Sequence, residues 1–489
     1  MPNVHRKPFH LHGAPPVRTR TLLHLVAAGT AVLSVTAAMT TSPAQLDDAF
    51  HQDGFARQVA HERPETEGDF LDFEHVANID LSAFQALAVD ENGNAFGADS
   101  GMGTFMDFAS YEVGEEGLRD FAFLGSDFDG TFIIDITNPQ EPDLRGHIPC
   151  RYEQNEVGFV NGLDFPVLAI GNQGGPSCVP RSYELDVNNL GDGPIGLGGR
   201  QASEVLSFWD VSNPDEPTFL SAYADTITDG AHTIAAHPSL PVVIPVGGSQ
   251  ERLVFVDVSD PRAPSVLTMI DTPGTTHKAH WSPDGSRLGT AGGVVEAIAI
   301  FDTSDVANPV LEATTAAPGQ TYQHEVHPFT QVDPITGIER QLHIASEENL
   351  GGPFAGYCSS TGFFIFEQVG PVLTPLSFST AGFTAGTSTV REGENEYCTA
   401  HYGSVSHDGF AYTIPWYIAG LYVFDLANLA APSEVAHAVF PDSNVWSAKT
   451  YRGNYVYTGD LFRGFDVFEY TGDLDLAQLA GDADQPESL

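Results

Sequence analysis

The sequence predicts an all-β protein, a seven-bladed β-propeller of four-stranded blades, from two observations. The first is a repeat in which an apolar, β-rich run ends in an acidic residue and leads into a polar turn, as in LVFVDVSDPRAP (253–264). The second is that no segment keeps the 3.6-residue period of an amphipathic helix. The acidic residues that end the seven runs are Asp135, Asp210, Asp257, Asp302, Glu367, Asp425 and Glu469.

Consecutive members of this set are 75, 47, 45, 65, 58 and 44 residues apart. The repeating unit is therefore about 45 residues long, with insertions in three units, and this is the period of a propeller blade. Radial repetition of such units leaves only short sheet edges, which favours a closed ring.

Residues 1–44 are predicted to be a secretory signal peptide. Basic residues precede an apolar run (22–39), and small residues around Ala44 offer a cleavage site. An uncleaved membrane anchor is the alternative, because the run is about as long as a membrane span requires. No later segment has 18 uninterrupted apolar residues. We therefore expect a secreted, extracellular protein with no membrane span in the mature chain.

The mature chain is divided into three parts. Residues 45–70 are expected to form a flexible acidic segment, residues 71–472 the propeller, and residues 473–489 an acidic C-terminal tail.

The chain is strongly acidic, with 20 Lys and Arg against 65 Asp and Glu. The predicted leader holds four of the basic residues and no acidic one, so the mature chain has 16 basic and 65 acidic residues and a net charge of −49. Such a surface repels nucleic acid and anionic lipid, and we expect neither as a partner.

Every unit has the same internal order. The apolar run before the acidic residue is one strand, and the turn after it is held by Asp, Ser or Asn side chains and by proline. An outer strand follows, and then a strand headed by histidine, a tight turn such as SPDG (282–285), and a strand ending in small residues. The last unit lacks an outer strand, whereas Phe73 to Ser82 resembles one and precedes the first unit. This segment is therefore predicted to pair with residues 464–470 and to close the ring.

Four cysteines in an exported chain favour disulfides. Three connectivities are open, and the nearest-neighbour one joins Cys150 to Cys178 and Cys358 to Cys398. We predict the Cys358–Cys398 bond in particular, because these two residues flank the insertion of the fifth unit. None of the four has the C-x-x-C spacing of a zinc or redox site.

Histidines recur at the head of the strand that follows the outer strand. His232, His277 and His401 each stand six residues before the tight turn of their unit, and His324 stands four residues before it. In a closed ring this strand lies against the central channel and starts at one face, so the four imidazoles are expected to gather at one channel mouth. Glu347 and Glu348 come from a neighbouring loop and are expected to lie beside them as second-shell carboxylates.

Imidazoles and carboxylates around one cavity suit a divalent transition metal, with copper and zinc as the candidates. The residues leave two alternatives open, a mouth that binds metal and a mouth of hydrogen-bonded histidines without metal. His280 and His343 are interpreted as packing residues, because His280 faces away from His277 in a regular strand.

The repeated pattern of three apolar residues, Asp, Val or Ile, Ser or Thr, Asn or Asp and Pro resembles the LVIVD-repeat family of secreted bacterial β-propellers. The resemblance runs from Asp72 to about Tyr470, and Glu367, Asp425 and Glu469 belong to diverged copies. The stretch THKAHWSPDGSRLGTAGG (276–293) is similar, more distantly, to the selenium-binding protein and methanethiol oxidase family. That similarity implies a propeller in which histidines hold copper.

Two functions follow from these observations. The first is an extracellular scaffold that binds an unidentified ligand or protein through loops on one face, with a His-lined metal site at its mouth. The alternative is a metalloenzyme, an oxidase or a hydrolase, that uses the same histidines. No nucleophile elbow, phosphate-binding loop or dinucleotide fingerprint is present in the sequence, and fold by itself does not separate the two functions.

Overall fold

A computed structural model describes most of the chain. The described residues are 68–88, 102–127, 129–150, 152, 154–173, 203–225, 228, 230–248, 250–292, 298–316, 322–348, 358, 361–382 and 398–478. The predicted signal peptide (1–44), most of the predicted flexible segment and Cys178 lie outside these residues.

The described residues form seven antiparallel sheets, and the innermost strand of each sheet contacts the innermost strands of both neighbours. These contacts return from the seventh sheet to the first. The predicted seven-bladed β-propeller is therefore confirmed. Blades one to five run from their innermost to their outermost strand in chain order, as the repeat predicts, and blades six and seven do so except for an outermost strand from the start of the described chain.

Blades one to four are built as follows. Blade one contains β3 (Gly103–Glu112), β4 (Leu118–Ser126), β5 (Gly130–Asp135) and β6 (Asp143–Ile148), with a 3-10 turn at Gly114–Glu116. Blade two contains β7 (Val157–Val160), β8 (Val167–Gly171), β9 (Ser203–Asp210) and β10 (Thr218–Asp225). Blade three contains β11 (Thr233–Ala236), β12 (Val242–Val246), β13 (Gln250–Asp257) and β14 (Ser265–Thr276). Blade four contains β15 (Lys278–Trp281), β16 (Arg287–Ala291), β17 (Ile298–Asp302) and β18 (Val310–Thr315).

Blade five contains β19 (Tyr322–Val332), β20 (Glu339–Glu348), β21 (Phe363–Val369) and β22 (Val372–Ser379).

Blades six and seven also include strands from the start of the described chain. Blade six contains β23 (Ser404–Val405), β24 (Ala411–Pro415), β25 (Leu421–Asp425) and β26 (Ser433–Val439), and β1 (Asp69–Leu71) is added outside β26. Blade seven contains β27 (Val445–Thr450), β28 (Tyr455–Asp460) and β29 (Gly464–Tyr470), and its outer strand is β2 (Phe73–Ile79).

The ring closes as the sequence predicts, with one difference at the end of the closing segment. Strand β2 pairs with β29 from Phe73 opposite Tyr470 to Ile79 opposite Phe465. Asp80 to Ser82 are not part of the strand, because the Asp80 side chain accepts the Ala83 N–H and caps a short helix, α1 (Leu81–Leu87). Two helical turns are too short for a sustained period in the sequence, so α1 was not predicted.

The acidic residue at the end of the apolar run has a local structural role. In five blades its carboxylate accepts the backbone N–H two residues later, at 2.7–2.9 Å, which fixes the turn to the outer strand. These five residues are Asp135, Asp210, Asp257, Asp302 and Asp425. In the diverged fifth unit Glu367 instead receives the Arg340 guanidinium at 2.7 Å. The repeated aspartate is thus explained by turn geometry rather than by ligand binding.

The apolar runs make the core between neighbouring blades. The third strands carry fully buried aromatic side chains, among them Phe132, Phe208 and Phe255. One cluster packs Val167 of blade two against Val243 of blade three. Each such side chain contributes about 1.5–3 kcal/mol on burial, so the ring is held mainly by apolar contact between sheets.

Both ends of the described chain pack on the ring. Strand β1 begins at Asp69, inside the segment expected to be flexible. In the predicted acidic tail, Leu476 is buried in the cluster between blades six and seven, and Ala477 accepts the His407 backbone N–H at 2.9 Å. The tail is therefore attached to the propeller at least as far as Ala477.

A disulfide joins Cys358 and Cys398, as predicted, with their Cα atoms 4.6 Å apart. Cys150 is buried, and its predicted partner Cys178 lies outside the described residues. Of the helices in the described part of the chain, none is long and apolar enough to cross a membrane.

Candidate metal centre at the channel mouth

Four histidines lie at the starts of the innermost strands of four successive blades. His232 directly precedes β11, His277 directly precedes β15, and His401 stands three residues before β23. His324 is the unpaired residue of a β-bulge in β19, between Gln323 and Glu325. A bulge turns one side chain out of the regular alternation, which explains how His324 joins the other three despite its offset in the sequence.

The four imidazoles form a continuous arc. Ring centroids lie 4.5 Å apart between His232 and His277, 4.3 Å between His277 and His324, and 4.3 Å between His324 and His401. The Nε2 atoms of His232 and His277 are 2.7 Å apart. Each of the four residues is at most 5% exposed. The predicted gathering of these residues at one place is therefore present in the structure.

Glu348 is part of the cluster rather than a second-shell group. Its Oε2 lies 3.5 Å from His324 Nε2, and its Oε1 lies 3.3 Å from His401 Nε2. The Tyr417 hydroxyl donates to Oε1 at 2.8 Å. Glu347, the other predicted carboxylate, faces away and receives the Gln323 side-chain amide at 3.1 Å. Successive residues of a strand point to opposite faces, so only one of the two glutamates reaches the histidines.

One potential ligand atom from each of His277, His324 and Glu348 lies within 4.8 Å of the other two. Two imidazoles and one carboxylate at this spacing are a donor set for zinc, iron or copper. Bonds of about 2.0–2.2 Å to one ion require only small side-chain movements from these positions. His232 and His401 border the same space and are available as further donors.

Burial favours the neutral form of two of these histidines, which is the form that binds a metal. It lowers the pKa of His277 and of His324 well below the ordinary value, and the neighbouring imidazoles lower both further. A neutral imidazole has the free lone pair that a metal requires. The His401 Nδ1–H donates to the Trp446 carbonyl at 2.6 Å, which leaves the Nε2 lone pair directed at the cluster.

A second cluster was missed by the sequence analysis. His280 was interpreted as packing, but it lies 3.0 Å from the Glu325 carboxylate, and His327 lies 3.1 Å from the same oxygen. His280 does face away from His277, as expected. On that side it meets Glu325 and His327 of the neighbouring strand β19. His343 hydrogen-bonds the Gln368 side chain at 2.8 Å, in agreement with a packing role.

The channel also contains the two lysines that the chain has beyond residue 44. Lys278 contacts Glu156, with both side chains 1% exposed, and donates to the Ile234 carbonyl at 3.0 Å. Lys449 donates to the Gly403 carbonyl at 2.8 Å. The sequence contains one indication of these residues. Beyond residue 44 the acidic chain has only two lysines, and one of them directly follows His277.

The fold and the clusters define the class of the protein as a seven-bladed β-propeller with a His- and Glu-lined channel. Residues 246–272, from the end of β12 into β14, match the LVIVD repeat family. This match confirms the predicted repeat in blade three. The similarity to the selenium-binding family stays a prediction.

The comparison with curated proteins found no match. Among solved structures the chain is similar to the crystal structure of Chaetomium thermophilum Raptor, with 11% sequence identity and a TM-score of 0.47. The aligned region covers 77% of this chain and 28% of that chain.

Proposed function

We propose that the protein is a secreted propeller of the LVIVD-repeat family that acts as an extracellular binding scaffold and holds a divalent transition metal at its channel mouth. The observation that carries the metal site is the approach of His324 Nε2 and His401 Nε2 to one carboxylate, that of Glu348. His277 completes a two-histidine, one-carboxylate donor set with His324 and Glu348. Zinc fits such a set, and copper, the other ion expected from the sequence, also binds imidazole ligands.

The scaffold function is supported by the rigidity of the ring and by the insertions of the sequence. The insertion between β8 and β9 and the one after β22 interrupt the regular repeat, and a propeller presents such loops on a fixed frame. The Cys358–Cys398 disulfide suits an oxidising, extracellular environment. The ligand of the scaffold is proposed to be a protein or small molecule outside the cell.

A metalloenzyme is the second candidate, and the position of Glu348 favours it. A catalytic metal keeps an open coordination position, and three protein ligands plus a nearby acid or base are a common arrangement. The Tyr417 hydroxyl, which donates a hydrogen bond to Glu348, would be such an acid or base beside the proposed ion. When bound, the ion would supply Lewis-acid chemistry for a hydrolysis or a redox centre for an oxidation.

The test is metal analysis of protein purified without a histidine tag. We expect about one equivalent of copper or zinc associated with the mouth, and its loss in the His277→Ala, His324→Ala double variant. Glu348→Gln removes a charged ligand and should weaken binding by more than the roughly 10–100-fold seen when a residue supporting a ligand is altered. His343→Gln, which removes a buried histidine outside both clusters, is the matched control and should keep its metal.

Two outcomes would contradict the proposal. Metal content unchanged in the double variant would exclude this site, and an absence of metal after loading with copper or zinc would leave a hydrogen-bonded mouth. Secretion is tested separately by N-terminal sequencing of protein recovered from the medium. The expected first residue lies close to residue 45, and an intact residue 1 would contradict the signal peptide.

A further inference from the structure

A second group of metal-binding side chains lies within the channel. His280 comes from β15, and Glu325 and His327 come from β19. His280 Nε2 lies 3.0 Å and His327 Nε2 lies 3.1 Å from the same carboxylate oxygen, Glu325 Oε2. Ligand atoms bound to one ion at about 2.0–2.2 Å are themselves roughly 3–3.5 Å apart, so both nitrogens already have nearly the required spacing from the oxygen. The three residues each offer a ligand atom within 4.8 Å of the other two.

The Glu325 carboxylate is held in place through its other oxygen. Oε1 accepts the Gly403 backbone N–H at 2.9 Å and the Tyr412 hydroxyl at 3.4 Å. Oε2 is left to the two imidazoles. Hydrogen bonds of this kind fix the orientation of a metal-binding carboxylate and are typical of built metal sites.

The His327 nitrogen is an independent sign of a ligand. His280 Nε2 forms a well-directed hydrogen bond with Glu325 Oε2. His327 Nε2 is shielded from solvent and lies 3.1 Å from that same oxygen, but it lacks the alignment of a well-directed hydrogen bond. Buried polar atoms are almost always satisfied. An ion between the two imidazoles and the carboxylate would satisfy this nitrogen.

The surrounding charges leave room for a cation. The channel groups near Glu325 are two lysines and three carboxylates, with a formal sum of −1. These residues are Lys278, Lys449, Asp107, Glu156 and Glu325. Glu325 is counted in this sum, so the surroundings of the site carry a net charge of −1, which attracts a cation and repels an additional anion.

The second cluster shares strands with the mouth but no ligand. His277 directly precedes β15 and stands three residues before His280, and His324 of β19 stands three residues before His327. The His324 bulge turns that side chain out of the alternation of β19, so His327 lies on the side of Glu325 and His324 does not. The side chains of His280 and His327 are 14% and 12% exposed, while that of Glu325 is fully buried. Part of each imidazole therefore reaches the surface, while the carboxylate between them is enclosed.

We propose that His280, Glu325 and His327 form a second binding site for a divalent first-row transition ion, separate from the mouth. The donor set is two imidazoles and one carboxylate, with positions left open for water. Zinc and iron(II) are the ions that fit this set best. The site does not depend on the mouth cluster being a metal site.

The test is the stoichiometry of Zn²⁺ and Co²⁺ bound by the untagged, EDTA-stripped full chain. Metal is measured by mass spectrometry, and Co²⁺ coordination by its visible absorption. The His277→Ala, His324→Ala variant should keep one equivalent that Glu325→Gln and the His280→Asn, His327→Gln variant each lose. His343→Gln is the control for removal of a buried histidine and should bind as the wild type does.

Counting equivalents distinguishes the two sites. If the mouth variant loses all of its metal and Glu325→Gln loses none, the second site is overturned and the mouth proposal stands. If Glu325→Gln loses all of its metal and the mouth variant loses none, the second site is established and the mouth proposal is contradicted. If a channel variant fails to fold, an anomalous-scattering map of a zinc-soaked wild-type crystal decides. A peak within about 2.3 Å of His280 Nε2, His327 Nε2 and Glu325 Oε2 supports the proposal, and no peak there overturns it.

Discussion

Lys278 and Glu156 form an ion pair inside the channel, where each side chain is only 1% exposed. The pair joins blade four to the start of blade two, and Phe105 of blade one lies 4.2 Å from the ammonium group. Burial lowers the pKa of Lys278 well below its ordinary value. The two charges are therefore costly to bury, and each depends on its partner.

Removing one member of this pair should destabilise the protein strongly. We expect Lys278→Met to lower the free energy of unfolding by about 3–5 kcal/mol, because Glu156 would remain buried without its partner. Adding Glu156→Leu should restore most of that loss. Arg252→Met is the control: its pair with Asp271 is largely exposed and should cost less than about 1 kcal/mol. Equal effects of the two single variants in denaturant unfolding would contradict this interpretation.

Loss of the disulfide should affect both stability and the mouth. The Cys358→Ser, Cys398→Ser variant is expected to lose about 3–4 kcal/mol of stability, since the bond closes a loop with a separation of 40 residues. Cys398 stands three residues before His401, so metal affinity at the mouth should fall as well. The measurements are thermal unfolding and metal titration. A wild-type protein whose unfolding does not respond to a reducing agent would contradict the first expectation.

The closure of the ring should depend on Asp466. His75 of the closing strand lies 2.8 Å from this carboxylate, and Arg463 contacts both of its oxygens. Burial by itself would raise the pKa of Asp466, and the hydrogen bonds from His75 and Arg463 outweigh burial and lower it. We expect Asp466→Asn to cost about 3 kcal/mol.

Asp442→Asn is the matched variant for that experiment. Asp442 contacts the same arginine at 3.1 Å but is 20% exposed, so its loss should cost clearly less. Hydrogen exchange in residues 73–79 should increase only in the Asp466 variant. Uniform exchange in both variants would argue that the pair does not hold the closing strand.

The contribution of Glu204 to stability should fall between pH 4.5 and 8. Burial raises the pKa of this carboxyl from 4.5 to about 8, and the Tyr152 hydroxyl donates to it. In that range the folded protein holds a proton that the unfolded chain has released, so each rise in pH favours unfolding until the folded pKa is passed. Glu204→Gln should remove this slope, and Glu216→Gln, at an exposed turn position, should keep it. Unfolding curves recorded across this range test the expectation.

Local patterns in the sequence determined the blades. The apolar runs and the aspartate at the end of each run specify strand and turn through contacts between near neighbours in the chain, such as Asp257 with the Ser259 N–H. Such contacts recur in every regular unit, so seven copies and the missing outer strand were enough to predict the ring and its closure by Phe73–Ile79. The Cys358–Cys398 bond followed from its place beside an insertion.

Only the tertiary structure decided which side chains meet inside the channel. The register of the repeats placed His232, His277, His324 and His401 at one mouth, but the choice of Glu348 over Glu347 depends on which face of β20 is turned inward. The cluster around Glu325 joins residues 45 positions apart on two blades, at a distance set by how the sheets pack. The sequence shows which residues of one strand lie on the same face. The contacts between blades arise from the packing of all seven sheets, which no single repeat encodes.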